Sequence, residues 1–217
     1  MPELLTLLLS ETLKTLYMTA LATLFSYVGG IPLGIVLVLT REDGVKKNRV
    51  LHSVLETVIN VWRSIPFYIL MIVLIPVARF VLGISIGTNA VCFYLFIGSI
   101  PFAARLAEQS MLEVGKNLTE TCVTLGANAR QIIGVLLGES LPSLVRGMSI
   151  TFVMLIGYSA MAGVMGGGGL GDIAVRYGLH RYQYKEMLII LAVIIAIVML
   201  VQWLFNILAK KIDKRRL

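Results

Sequence analysis

The chain has 217 residues and a mass of 23.8 kDa, with 58% hydrophobic residues, 14% charged residues and a mean hydropathy of +0.88. A soluble domain is about 25% charged, so this composition leaves almost no room for a soluble fold or for a second, soluble domain. The formal net charge of +7 is not read as a nucleic-acid footprint, because lysine and arginine mark the cytoplasmic side of a membrane protein.

From the N-terminus, the first basic residue is Lys14, and Glu3 and Glu11 precede it. A secretory signal needs a basic start before its apolar stretch, so the first hydrophobic segment is expected to stay in the mature protein. Residues 4–10 fit a short interfacial helix. Charge-free stretches then run over 15–40, 80–104, 147–171 and 187–209, with a shorter one over 64–78. Crossing the hydrocarbon core takes about 20 apolar residues. The spacing predicts five spans, over 13–39, 54–79, 89–105, 147–165 and 187–208. All should be helices, because lipid forbids unsatisfied backbone and five segments need no closed barrel. The expectation is an all-α polytopic membrane protein, with 1–217 a single transmembrane domain.

In the first span, Gly30 and Gly34 form a GxxxG match that Gly29 extends. Such spacing lets helix backbones approach closely. Pro32, Pro66, Pro76 and Pro101 should bend the first three spans, since each lacks a backbone donor. Thirteen of the nineteen basic residues fall on one side of these spans and five on the other, with Arg63 within or beside the second. The larger set reads as cytoplasmic, which puts the N-terminus outside and the C-terminus inside.

The spans so defined contain no carboxylate, although an ion-coupled carrier often shows one. Arg63 lies near the start of its span and is read as snorkelling to the cytoplasmic interface. Cys92 and Cys122, like His52 and His180, are far apart, so neither a disulfide framework nor a zinc site is expected. No GxxxxGK[ST] loop is present, and no catalytic set is recognisable.

The informative segment is the cytoplasmic connection 106–146, since structureless loops of that length are uncommon. Asn117 with Glu120, and Asn128 with Gln131, each resemble a capping box. Gly126 lies between them, where a helix end favours glycine. Two short helices are predicted, over about 118–125 and 129–137. Leu118, Cys122 and Leu125 share a face of the first by their spacing. That face either packs on the chain's own helix ends or docks another protein. The turn at Gly126 is expected to need a positive φ or a close backbone approach.

The sequence Glu120-Thr-Cys-Val-Thr-Leu-Gly126-Ala127, with Ile132-Ile133 and Leu141-Pro142, resembles the EAA loop of ABC-importer permeases of the type I fold. It departs from the usual loop in having Thr121 and Cys122 where alanines are customary, Gly138 near the place of a proline, and one residue fewer before Leu141-Pro142. The resemblance extends over nearly the whole chain and points to the methionine-importer branch. It rests also on residues 62–67, Gly87, residues 100–105, Tyr158-Ser159-Ala160-Met161 and the glycine run 166–171.

What the resemblance implies is a permease subunit, not an enzyme, in a bacterial plasma (inner) membrane. It implies a homodimer with two ABC ATPase subunits and an extracytoplasmic substrate-binding protein. No cofactor is then held by this chain; ATP and magnesium belong to the ATPase. The implied ATPase-coupling residues are Glu120, Cys122, Leu125, Gly126 and Ala127. Tyr158, Ser159 and Met161 line or gate the pathway, or else pack helices. The run 166–171 is read as a tight turn on the outer side, since it lacks the Lys-Ser/Thr of a phosphate loop. The alternatives are a permease for another amino acid or small peptide, an ion-coupled carrier, and a membrane-embedded enzyme.

Overall fold

The computed structural model describes residues 2–114 and 116–213. Every regular element among them is helical: α1 (Pro2–Thr40), α2 (Arg49–Ser64), α3 (Phe67–Leu82), α4 (Thr88–Leu112), α5 (Lys116–Thr124), α6 (Ala129–Ala162), α7 (Leu170–Val175) and α8 (Tyr184–Ile212). Wider π-helical turns over Gly163–Gly167 and Arg176–His180 flank α7. Helices α1, α4, α6 and α8 are long and apolar enough to cross a membrane, and the pair α2–α3 makes a fifth span if counted as one.

Four expectations are corrected. Residues 4–10 form no separate helix, because α1 is continuous from Pro2. The second span breaks at Ile65–Pro66 into α2 and α3. The residue before a proline is pushed out of the α region, and Pro66 itself is extended, at φ −56° and ψ 131°, its carbonyl accepting the Leu70 N–H. Pro32, Pro76 and Pro101, by contrast, lie inside helices. The predicted helix over 129–137 is the start of α6, which runs unbroken through Pro142 to Ala162. The fourth concerns carboxylates. Helices α1 and α4 outrun the predicted spans and carry two buried ones, Glu11 and Glu108.

The chain divides into two compact units, and α1, α4, α6 and α8 contribute to both. One unit comprises Tyr27–Ser64, Ile100–Ile150 and Leu204–Leu217. Its core gathers Tyr27, Ala103, Ala107, Met111, Ile132 and Leu136. The GxxxG motif does here what its spacing predicts. A Cβ on Gly30 would stand 2.7 Å from the Ala103 Cβ, and one on Gly34 2.9 Å from the Ala104 carbonyl oxygen. Only glycine lets α1 lie this close to α4. Ile59 of α2 packs with Leu37 and Ala104.

The α4 helix continues past Arg105 because that charge is matched. Arg105 Nη1 donates to Glu108 at 2.7 Å, and Nη2 donates to Glu56 of α2 at 3.0 Å. Arg63, an exposed residue, stacks over the Phe102 ring, 5.5 Å from its centroid, in a cation–π contact.

The other unit comprises Met1–Ser26, Ile65–Ser99 and Thr151–Trp203. Leu8, Leu170, Ile173 and Ile190 form an apolar cluster in it. Gly98 admits Phe67 and Leu70, a Cβ there falling 3.1 Å from the Phe67 ring.

Candidate functional site

Helix α5 and the turn that follows it are built by backbone geometry that can be followed bond by bond. Gly126 has φ +76°, in the left-handed region where glycine carries no penalty. Its N–H donates to the Val123 carbonyl at 2.9 Å, and the Ala127 N–H donates to the Cys122 carbonyl at 2.9 Å. This pair of bonds is a Schellman motif with Gly126 just past the helix end. Cys122 and Ala127, the two positions such a motif brings together, both pack on the Ile132–Leu136 core. Two residues later, the Asn128 Oδ1 accepts from the Gln131 N–H at 3.0 Å and the Gln131 Oε1 accepts from the Asn128 N–H at 2.8 Å. That is the capping box read from the sequence, and it starts α6. The companion box falls partly outside the described residues, since the Asn117 side chain is not among them.

The sequence places one apolar face on α5; the structure divides it. Cys122 and Ala127 turn inward to the chain's own core, so the packing alternative holds for them. Leu125 is 81% exposed and Val123 52% exposed. Glu120 is also exposed. Beside α5 a cavity of about 300 Å³ is lined by Leu39, Arg41, Met111, Leu112, Glu120 and Leu136, among others. The exposed surface of α5 and its turn therefore comprises Glu120, Thr121, Val123, Thr124, Leu125 and Gly126, with Val123 and Leu125 its apolar side chains. Val123 escaped the sequence reading because it lies off the Leu118–Cys122–Leu125 spacing, and that stripe itself divides, with Cys122 turned inward and Leu125 outward.

Tyr158, Ser159 and Met161 end α6, but they are not equivalent. Tyr158 stacks flat on Phe67, with ring centroids 4.3 Å apart and planes within 5°. Ser159 is buried and its Oγ donates to the Ile156 carbonyl at 2.8 Å, within its own helix. Met161 is 50% exposed. Of the three, Met161 is exposed and Tyr158 half-buried, while Ser159 is buried, as is the Phe67 ring on which Tyr158 stacks.

The glycine run is a tight turn, as expected, with positive φ at Gly166, Gly168 and Gly169. Its backbone is bonded by other helices: Thr88 Oγ1 donates to the Gly167 carbonyl at 3.1 Å, Glu11 accepts from the Gly169 N–H, and Thr15 accepts from the Leu170 N–H. Glu11 and Thr15 were not singled out from the sequence. No group of three or more His, Cys, Asp or Glu suited to a metal ion occurs among the described residues.

Comparisons with known proteins agree with one another. The family described as "Binding-protein-dependent transport system inner membrane component" matches residues 30–217. A probable D-methionine transport system permease protein, MetI, of Vibrio cholerae is 45% identical over 210 residues, which is 96% of this chain and 93% of that protein. The methionine import system permease protein MetP of Bacillus subtilis is 40% identical over 212 residues, 97% and 96% of the two chains. Among solved structures, a chain of the MetNI methionine ABC transporter in inward-facing conformations matches with a TM-score of 0.95 and 37% identity, covering 98% of this chain and 99% of that one.

Proposed function

The chain belongs to the family of binding-protein-dependent transport system inner membrane components, and we propose that it is the permease subunit of an ATP-driven importer of methionine. The observation that carries the substrate is the identity of 40–45% over nearly the full length of relatives described as methionine permeases. The functional partners follow from this reading. Two copies of the chain enclose the pathway, two ATPase subunits supply ATP and magnesium chemistry, and an extracytoplasmic binding protein delivers the amino acid. Residues 1–217 act as one transmembrane domain, which the four helices shared by both compact units support.

The α5 surface gives the coupling mechanism. Glu120, Val123, Leu125 and the Gly126 turn dock in a cleft of the ATPase. Cys122 and Ala127 transmit that contact into the core beneath them. Because α6 begins at Ala129, three residues after Gly126, and runs past Tyr158 and Met161, a shift of α5 is delivered to the far end of α6 by one continuous helix. ATP binding favours the closed ATPase pair, and that difference in affinity biases the permease between its states. By the basic asymmetry, α5 lies in the cytoplasm, and the glycine run and residues 176–186 lie outside.

The test is reconstitution. The chain with its ATPase and binding protein, in liposomes, should import methionine only with ATP, and a tenfold excess of other amino acids should compete poorly. The chain alone should hydrolyse no ATP. Uptake driven by an ion gradient without ATP, or efficient competition by an unrelated amino acid, would overturn the mechanism or the substrate respectively.

A further inference from the structure

Helix α7 has no side-chain cap of its own, because its N-cap residue is Gly169. The first N–H groups of a buried helix still need acceptors. They find them on α1. Glu11 Oε2 accepts from the Gly169 N–H at 2.6 Å, and Thr15 Oγ1 accepts from the Leu170 N–H at 2.8 Å. Thr15 Oγ1 also donates to the Glu11 carbonyl at 3.0 Å, and Lys14 Nζ holds the other Glu11 carboxylate oxygen at 2.7 Å. Glu11 is 7% exposed and Thr15 2%. A carboxylate buried this far is costly unless paired and hydrogen-bonded, and here its acceptor capacity is committed to an ammonium group and a helix start.

The approach is possible only because the N-cap residue, Gly169, has no side chain. A Cβ on Gly169 would fall 2.8 Å from Thr15 Oγ1, and φ there is +88°. The helix so held is tied in turn to the end of α6. Gly171 lies so close to Ala160 that a side chain would overlap the Ala160 backbone, and Gly163 meets the Asp172 backbone in the same way. Ala160 sits between Ser159 and Met161, two residues from Tyr158.

We infer that Glu11 and Thr15 are positioning residues for the outer end of the pathway: by capping α7 from α1, they fix where α7 holds residues 158–161. The inference rests on the permease reading and on Tyr158 and Met161 facing the pathway. Glu11 touches no substrate; it acts through α7. Loss of the Glu11 or Thr15 acceptor leaves a buried N–H unsatisfied. The held arrangement then loses a factor of about ten against its alternatives.

The experiment uses the full complex with Glu11→Ala, Glu11→Gln, Thr15→Val and Thr15→Ser. Three quantities are read: permease abundance, ATP hydrolysed per methionine imported, and labelling of Met161→Cys by an impermeant maleimide from outside. Labelling is taken above that of the parent, which keeps Cys92 and Cys122. Glu11→Ala and Thr15→Val should raise the labelling rate about tenfold and raise ATP consumed per methionine. Thr15→Ser keeps the hydroxyl and should stay within about twofold of the parent, whereas Glu11→Gln keeps an oxygen for the Gly169 N–H but loses the one that Lys14 holds, and should fall between Glu11→Ala and the parent. Should Glu11→Ala not accumulate, the Thr15 pair carries the same contrast, since valine and serine differ at the hydroxyl. Unchanged labelling and coupling in Thr15→Val at parental abundance would overturn the inference. So would equal effects of Thr15→Ser and Thr15→Val. Labelling needs no substrate, so failure of the unsubstituted complex to import methionine would sink the permease reading without deciding the role of the cap.

Discussion

Replacing Gly126 by valine tests the coupling turn without disturbing any packing. No atom lies within 4 Å of the position its Cβ would occupy, so the cost is conformational rather than steric. The residue must keep φ near +76°, which costs an L-residue roughly 1–2 kcal/mol and is most unfavourable for a β-branched one. That strain is comparable to the net worth of the two bonds that define the turn, about 1 kcal/mol each. It is relieved when those bonds, Gly126 to Val123 and Ala127 to Cys122, open. The ordered turn should therefore lose a factor of roughly 5–30 against its frayed form. The membrane helices are untouched, so abundance should hold while ATPase co-purification and methionine uptake fall. Gly126→Asn is the control, since asparagine tolerates the left-handed region, and it should retain most of both. If Gly126→Val reaches parental abundance and transports normally, α5 is not the coupling element. If Gly126→Asn is as impaired as Gly126→Val, the need at this position is close approach by a partner, and the argument from φ fails.

Three further outcomes are expected. Leu125→Asp, at a position 81% exposed, should leave thermal stability unchanged and abolish ATPase co-purification. Cys122→Asp, facing the core, should instead lower stability, and the reverse pattern would show the docking face to be misassigned. Arg105→Met leaves Glu108, 3% exposed, without its cation at a cost of roughly 3–5 kcal/mol. Abundance and melting temperature in detergent should fall, and adding Glu108→Gln should restore part of the loss; no loss in the single variant would mean that the pair does not hold α4. Finally, an impermeant thiol reagent on intact cells should label Arg181→Cys but not Lys47→Cys above the parental level, and the opposite result would invert the topology.

Much of the fold was legible because its signals are periodic or local. The charge-free stretches located the helices that can cross a membrane, and Gly30 with Gly34 marked the contact of α1 with α4. The boundaries were less legible, because charge was taken as the end of each span. Arg105 does not end α4, since Glu108 one turn on and Glu56 on α2 neutralise it. Glu11 does not precede α1; it lies inside the helix, matched by Lys14. Among the four prolines expected to bend spans, Pro66 alone breaks a helix. It divides the amphipathic α2, with its polar edge of His52, Glu56 and Asn60, from the wholly apolar start of α3. A proline within a uniformly apolar stretch is carried by the helices packed around it, whereas one at a change of environment marks a boundary.

The same physical demand accounts for what was readable in the candidate site and what was not. Both α5 and α7 are short helices whose ends leave backbone groups that must be satisfied, and both have glycine at the critical end. At α5 the acceptors are the helix's own carbonyls, at Cys122 and Val123, and the next helix is capped by Asn128 and Gln131 three residues apart. Bonds of that range leave a fixed spacing in the sequence, so the turn at Gly126 could be anticipated, with a positive φ as one of the two reasons for its glycine. At α7 the acceptors are Glu11 and Thr15, separated from their donors by 158 and 155 residues. Nothing in the spacing of 166–171 announces them, and the run reads only as a flexible turn. It is held instead by a carboxylate and a hydroxyl whose own neighbourhood in the sequence suggests no more than the polar flank of a span. A glycine run beside a buried, distant carboxylate is thus a fixed joint, and its stiffness depends on residues that a motif search over the run itself would never return.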